Sequence, residues 1–144
     1  MIMDLRQLDD RLFVSPQLSL QDIPLLAAQG IKSIIANRPD GEDEDQPAYA
    51  AIEAAATAEG LTFRYLPLAS GHPLSDSLVS QFGEALDSLP GPLLAYCRSG
   101  TRSAMLWAHS QAGNMSSEAI LAAAQRAGYD FSGLRLQLDA RAKG

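Results

Sequence analysis

GPLLAYCRSGTRS, residues 91–103, decides how this chain is put together. Its first half, LLAY at 93–96, is a short apolar run of the kind found in a strand buried on both faces of a parallel sheet. Pro90, Gly91 and Pro92 stop any helix that arrives from the N-terminal side. The second half places the only cysteine, Cys97, ahead of Arg98, Ser99, Gly100, Thr101 and Arg102, and a helix is predicted over 102–112 with Trp107 on its apolar side. Strand, tight loop and helix follow one another without a spacer.

The same alternation extends in both directions. Upstream, LFVS (12–15), IKSIIAN (31–37) and LTFRYLPL (61–68) read as strands. Between them, Ser19 opens a helix with Asp22 at the fourth position of a capping box, and Gly30 ends it. An alanine-rich helix spans about Pro47 to Glu59, stopped by Gly60, and Ser75 or Asp76 caps one running to Leu89. Downstream, Ser116 or Ser117 caps a helix ending at Gly128, and a last helix is predicted over 130–142. The β-α-β-α order implies an α/β fold of three layers, α/β/α, with a mainly parallel central sheet. With 144 residues and no linker or repeat, residues 1–144 read as a single domain.

The bulk composition narrows the function. A net charge of −6 and no Lys/Arg-rich face argue against nucleic acid. No apolar run approaches the length needed to cross a bilayer, and the first twenty residues lack a secretory-type apolar segment, so the cytoplasm is the expected compartment. One cysteine forms no internal disulfide, and two histidines 37 positions apart, in no HxH or HxxxH pattern, give little support to a metal site. No cofactor is called for, and the oligomeric state is left open.

In parallel α/β folds, ligands gather outside the C-terminal ends of the strands. The loop after LLAY lies there. Its backbone N–H groups and the positive end of the following helix form an anion site, and the same field favours thiolate at Cys97. Gly100 lets the loop turn. Arg102 is placed to grip an oxyanion through two parallel hydrogen bonds, and Ser103 to donate to the sulfur. Cys97, Arg102 and Ser103 are therefore the catalytic candidates. Arg98, Ser99, Gly100 and Thr101 are the substrate-binding ones, joined by Arg38 at the end of the second strand and His72 between Gly71 and Pro73. Arg38 either binds substrate anions or pairs with the acids that follow; those acids, EDED at 42–45, read as a solvated loop. His109 reads as a packing or surface residue.

GIKSIIANRPDGE (30–42), LTFRYLPL (61–68) and GPLLAYCRSGTRS (91–103), with the QLS…DI…LAAQG segment (17–30), resemble the phosphatase-like domain of the bacterial beta-lactamase hydrolase-like proteins. That family is related to both dual-specificity phosphatases and rhodaneses. The resemblance covers nearly residues 1–112 and implies a cysteine-phosphatase-like fold and a cysteine-dependent reaction.

Two departures from the phosphatase pattern separate the possible reactions. Cysteine phosphatases space their cysteine and arginine one residue further apart; four residues separate Cys97 from Arg102, as in many single-domain rhodaneses. Dual-specificity phosphatases also carry an acidic residue after the preceding strand, where this chain has Leu, Ala, Ser, Gly and His at 68–72. Ester cleavage wants a proton for the leaving oxygen, whereas a thiolate leaves readily. The sequence reading therefore puts sulfur transfer first. Thiosulfate or a low-molecular-weight persulfide would be the donor, a Cys97 persulfide the intermediate and an external thiol the acceptor. Phosphatase chemistry through a phosphocysteine is the alternative, and a non-catalytic anion or persulfide sensor the third reading.

Overall fold

A computed structural model describes residues 4–143. Along them run β1 (Arg6–Gln7), β2 (Leu12–Ser15), α1 (Asp22–Ala28), β3 (Ser33–Ala36), α2 (Tyr49–Ala58), β4 (Thr62–Tyr65), α3 (Asp76–Ser88), β5 (Leu93–Tyr96), α4 (Thr101–Gln111), α5 (Ser117–Arg126), a 3₁₀ turn (Ser132–Leu134) and α6 (Arg135–Lys143). The sheet order is β1-β2-β5-β3-β4. β1 joins antiparallel and the other pairings are parallel.

LLAY takes the central position its composition calls for, with all four residues buried. Alternate side chains enter two separate cores: Leu93 and Ala95 pack with α3 to α6, and Leu94 and Tyr96 with α1 and α2. Ile35 and its neighbours Ile34 and Ala36 divide in the same way on β3. This is the three-layer arrangement, with two helices on one face and four on the other.

The parallel strands end in one row. Ser15 and Ala36 both pair with Tyr96, and Ala36 also pairs with Tyr65. The loops that follow β2, β3, β4 and β5 therefore leave the sheet at one level and converge on one edge. Trp107, fully buried, fixes α4 beneath that edge by donating from Nε1 to Asp9 Oδ2 at 2.9 Å. Asp9 Oδ1 in turn accepts the N–H groups of Arg11 and Leu12, so the turn before β2 and the helix after Cys97 are held together.

Two helix starts, those of α3 and α5, carry side-chain caps. Ser75 Oγ accepts from Leu78 N–H at 3.0 Å, and Ser116 Oγ from Ala119 N–H at 3.1 Å; each such cap contributes about 1 kcal/mol. Two expectations need correction, and one strand was not foreseen. α1 begins at Asp22 rather than Ser19, because only the returning half of the capping box forms: Ser19 N–H donates to Asp22 Oδ2, while Asp22 N–H goes to the Ser19 carbonyl. The segment over 130–142 divides into the 3₁₀ turn and α6. β1, two residues long, carries too little pattern to be read in advance. Among the described residues, no helix is long and apolar enough to cross a membrane.

Candidate active site

Cys97 is the first residue beyond β5, held to the β2 end by its own N–H donating to the Ser15 carbonyl at 3.4 Å. The chain then doubles back over it. Gly100 adopts φ +90°, which an L side chain rarely tolerates, and this turns its N–H onto Cys97 Sγ at 3.1 Å. A β-carbon at Gly100 would also collide with the Tyr129 hydroxyl, which backs the loop and donates to the Ser99 carbonyl at 3.4 Å. Burial pushes the Tyr129 phenol up; the positive charge of Arg6, whose guanidinium lies 5.3 Å over its ring, opposes this, and negative charge at Cys97 reinforces it.

α4 starts immediately after Gly100, and its first helical bond runs from Ala104 N–H to the Gly100 carbonyl at 2.9 Å. The N–H groups of Thr101, Arg102 and Ser103 therefore have no acceptor within the helix and supply positive potential at the loop. Cys97 itself has no exposed surface and forms the floor of the loop. Ser99 and Arg98 lie outside it: Ser99 Oγ and Thr101 Oγ1 bond each other at 3.1 Å, and the Arg98 side chain is exposed.

Arg102 is held by a carboxylate. Its Nη1 donates to Glu42 Oε2 and to the Leu68 carbonyl, and its Nη2 to Glu42 Oε1, each at 2.8 Å. Its Nε donates to none of the described residues. Glu42 Oε1 also accepts from Arg38 Nε at 2.9 Å, and Oε2 from Ser70 N–H at 3.4 Å. The Arg102 hydrogen bonds dominate, and with Arg38 and the Ser70 amide they outweigh desolvation, bringing the Glu42 carboxyl to about 2. Asp43 extends the network, accepting from Arg38 Nη2 at 2.7 Å and lying 3.8 Å from Arg98 Nε. Gln17 accepts from Arg38 Nη1 at 3.1 Å.

The expected roles are redistributed accordingly. Arg38 is buried and spends its donors on the acids that follow it and on Gln17, the second of the two readings of that residue. The acidic run is not merely solvated, since Glu42 and Asp43 bind three arginines between them. Ser103 does not serve the sulfur: it points inward from α4, and its hydroxyl donates to Asn37 Oδ1 at 2.8 Å, while Asn37 Nδ2 donates to the Leu66 carbonyl at 2.8 Å. The chain Ser103–Asn37–Leu66 ties α4 to the ends of β3 and β4.

His72 stands exposed in the loop after β4, its N–H closing a turn onto the Ala69 carbonyl at 3.1 Å. It lines a groove of about 500 Å³ that Arg102 also lines. Glu42 and Tyr129 are the residues sequence reasoning missed. Glu42 was visible only as one acid among four, and Tyr129 had no signal, because its contact with the loop is purely tertiary. The assembly can stabilise an anion on or beside Cys97: one amide aimed at the sulfur, a helix N-terminus and a guanidinium clamped in place. It lacks a ready proton donor, because a carboxyl at about 2 is ionised at neutral pH.

Comparison with known proteins places the chain in a family and the fold among known ones. The family described as "Beta-lactamase hydrolase-like protein, phosphatase-like domain" matches residues 4–114. A beta-lactamase hydrolase-like protein of Agrobacterium fabrum is 35% identical over 106 residues, which are 74% of this chain and 24% of that protein. This chain spans between 24% and 30% of the length of the curated relatives it matches. A Neisseria meningitidis crystal structure named "putative phosphatase" is 37% identical, with a TM-score of 0.85, over 97% of this chain and 99% of that one. The structure named Tk-PTP in the active form shares the fold at TM-score 0.74 with 12% identity, over 99% of this chain and 98% of that one. The fold is that of the cysteine phosphatases.

Proposed function

This chain belongs to the phosphatase-like domain family of the beta-lactamase hydrolase-like proteins, and from that premise we propose that it hydrolyses phosphate monoesters through a phosphocysteine at Cys97. The observation that carries the reading is the Gly100 amide on Cys97 Sγ, with Arg102 clamped by Glu42 at the rim of the same loop. A fork held by a bidentate carboxylate keeps its plane, and a preset guanidinium suits an oxyanion better than a mobile one.

In the first step the Cys97 thiolate attacks phosphorus, the S–P bond forms and the ester P–O bond breaks. The Gly100 amide, the free N–H groups of α4 and Arg102, whose Nε is left without an acceptor among the described residues, would stabilise the charge that collects on the phosphoryl oxygens. Water then attacks phosphorus, the S–P bond breaks, and inorganic phosphate leaves with Cys97 restored as thiolate. The leaving oxygen takes its proton from solvent or from His72, since Glu42 is ionised and Asp76, at the start of α3, is exposed and turned to Arg141 at 2.9 Å. Esters with acidic leaving groups, such as aryl phosphates, are therefore the better substrates.

Sulfur transfer, first on the sequence reading, becomes the second. One observation still favours it: the short loop leaves Cys97 fully buried, and a persulfide needs less room than a phosphoryl group and no acid. The deciding experiment measures release of phosphate from phosphotyrosine and of sulfur from thiosulfate, with Cys97→Ser beside the wild type. Phosphate release lost in Cys97→Ser supports hydrolysis. Sulfur transfer without phosphate release overturns it. Replacing His72 with Gln tests the proton donor: a loss of rate confined to esters with poor leaving groups supports the role.

A further inference from the structure

The groove of about 500 Å³ meets the Cys97 loop at Arg102 and runs away from it along α4. Its wall on α4 is made by Arg102, Met105 and His109, spaced i, i+3 and i+7 on one face of the helix. Seven residues at 1.5 Å each carry the groove about 10 Å from Arg102. Between its ends the lining is apolar, with Leu74 and Leu134 beside Met105, and the far end holds a second cation, Arg141 on α6.

That far end has unused hydrogen-bonding capacity. His109 Nδ1 accepts from Arg141 Nε at 3.1 Å, so the proton of the neutral ring sits on Nε2. Burial and the neighbouring Arg141 both hold this imidazole in its neutral form. Nε2 is buried without a partner among the described residues, in a side chain only 3% exposed. Arg141 Nη2 also has no acceptor among the described residues, and the carboxylate on Nη1 belongs to Asp76, whose side chain is 93% exposed. An ion pair so open to water is weak, and another carboxylate exchanges for it at little cost.

We infer that this groove is a substrate subsite for an extended dianion: a molecule whose reacting group sits over Cys97 while a second acidic group, about 10 Å away, binds Arg141 beside His109. The apolar wall accommodates an uncharged spacer. Bare phosphate or thiosulfate would fill only the cradle. The inference rests on the reading of the Cys97 loop as an anion cradle, and it holds whether the transferred group is phosphoryl or sulfur.

The test is a titration of isotope-labelled full chain with methylphosphonate and with phosphonates carrying a terminal carboxylate on spacers of increasing length, followed by NMR. The Gly100 amide reports the cradle, and the His109 ring nitrogens report the far end. We expect methylphosphonate to move Gly100 alone. The member spanning about 10 Å should move both and bind about tenfold more tightly, as one added charge-assisted contact allows. Arg141→Gln should abolish that gain. Asp76→Asn, a change at an exposed position that releases Arg141, should increase it. Affinity independent of spacer length, or a His109 ring that stays still while Gly100 moves, overturns the subsite and leaves the cradle standing. A Gly100 amide that no phosphonate moves overturns the cradle and the subsite together.

Discussion

Replacing Glu42 with Gln keeps the shape of the side chain and removes the charge that joins Arg102 to Arg38. The Glu42 carboxyl lies at about 2 instead of 4.5, a displacement worth about 3 kcal/mol. The side chain is 19% exposed, so screening by water is modest, while Arg38, only 3% exposed, keeps Asp43 as its second acid. The expected loss of folding stability at pH 7 is therefore about 2–3 kcal/mol, less than for removing the sole partner of a buried charge. Because the folded-state value is depressed, the contribution is complete above about 4.5 and is lost as the pH falls towards 2. Urea denaturation of wild type and Glu42→Gln between pH 7 and pH 2.5 measures it. The two stability curves should lie furthest apart at neutral pH and converge on the acid side. A gap below about 0.5 kcal/mol at pH 7, the range of an ordinary surface substitution, would refute the reasoning, as would a gap indifferent to pH.

Other expectations follow from the same geometry. Gly100→Ala should cost about 1–3 kcal/mol through its backbone strain, with a further penalty from the Tyr129 hydroxyl. Adding Tyr129→Phe should recover the second part, so a double-mutant cycle in thermal unfolding is expected to show coupling rather than additivity. Ser103→Ala leaves Asn37 Oδ1 without its donor and should destabilise the fold by about 1–3 kcal/mol. Since Ser103 does not touch the sulfur, the ultraviolet titration of the Cys97 thiolate should not move; a clear shift would return Ser103 to the role first assigned to it.

The fold was legible because its signals are local. LLAY, IKSIIAN and LFVS are apolar over the length of a strand, and Gly30, Gly60 and Pro90 punctuate the helices between them. The cradle was legible for the same reason, since Cys97, Gly100 and the start of α4 are neighbours in sequence. What escaped depends on distance along the chain. Glu42 meets Arg102 across sixty residues, and an acid in the run EDED gives no sign of which of its members turns inward. Ser103 follows Arg102 directly, so proximity suggested the sulfur. One step further round the helix it faces the end of β3 and Asn37 instead. The reaction was hardest to read, because spacing and a missing carboxylate argued for sulfur while the fold belongs to the phosphatases.

The most direct test of the account is the intact mass of the reduced protein, quenched in acid during turnover of an aryl phosphate and, separately, after exposure to thiosulfate. The expected result is a phosphoryl group on the wild type, absent from Cys97→Ser, with no sulfur gained from thiosulfate. A gain of one sulfur that a mild reductant reverses, unlike sulfinic acid of nearly equal mass, and no phosphoryl adduct would contradict it and make Cys97 a sulfur carrier.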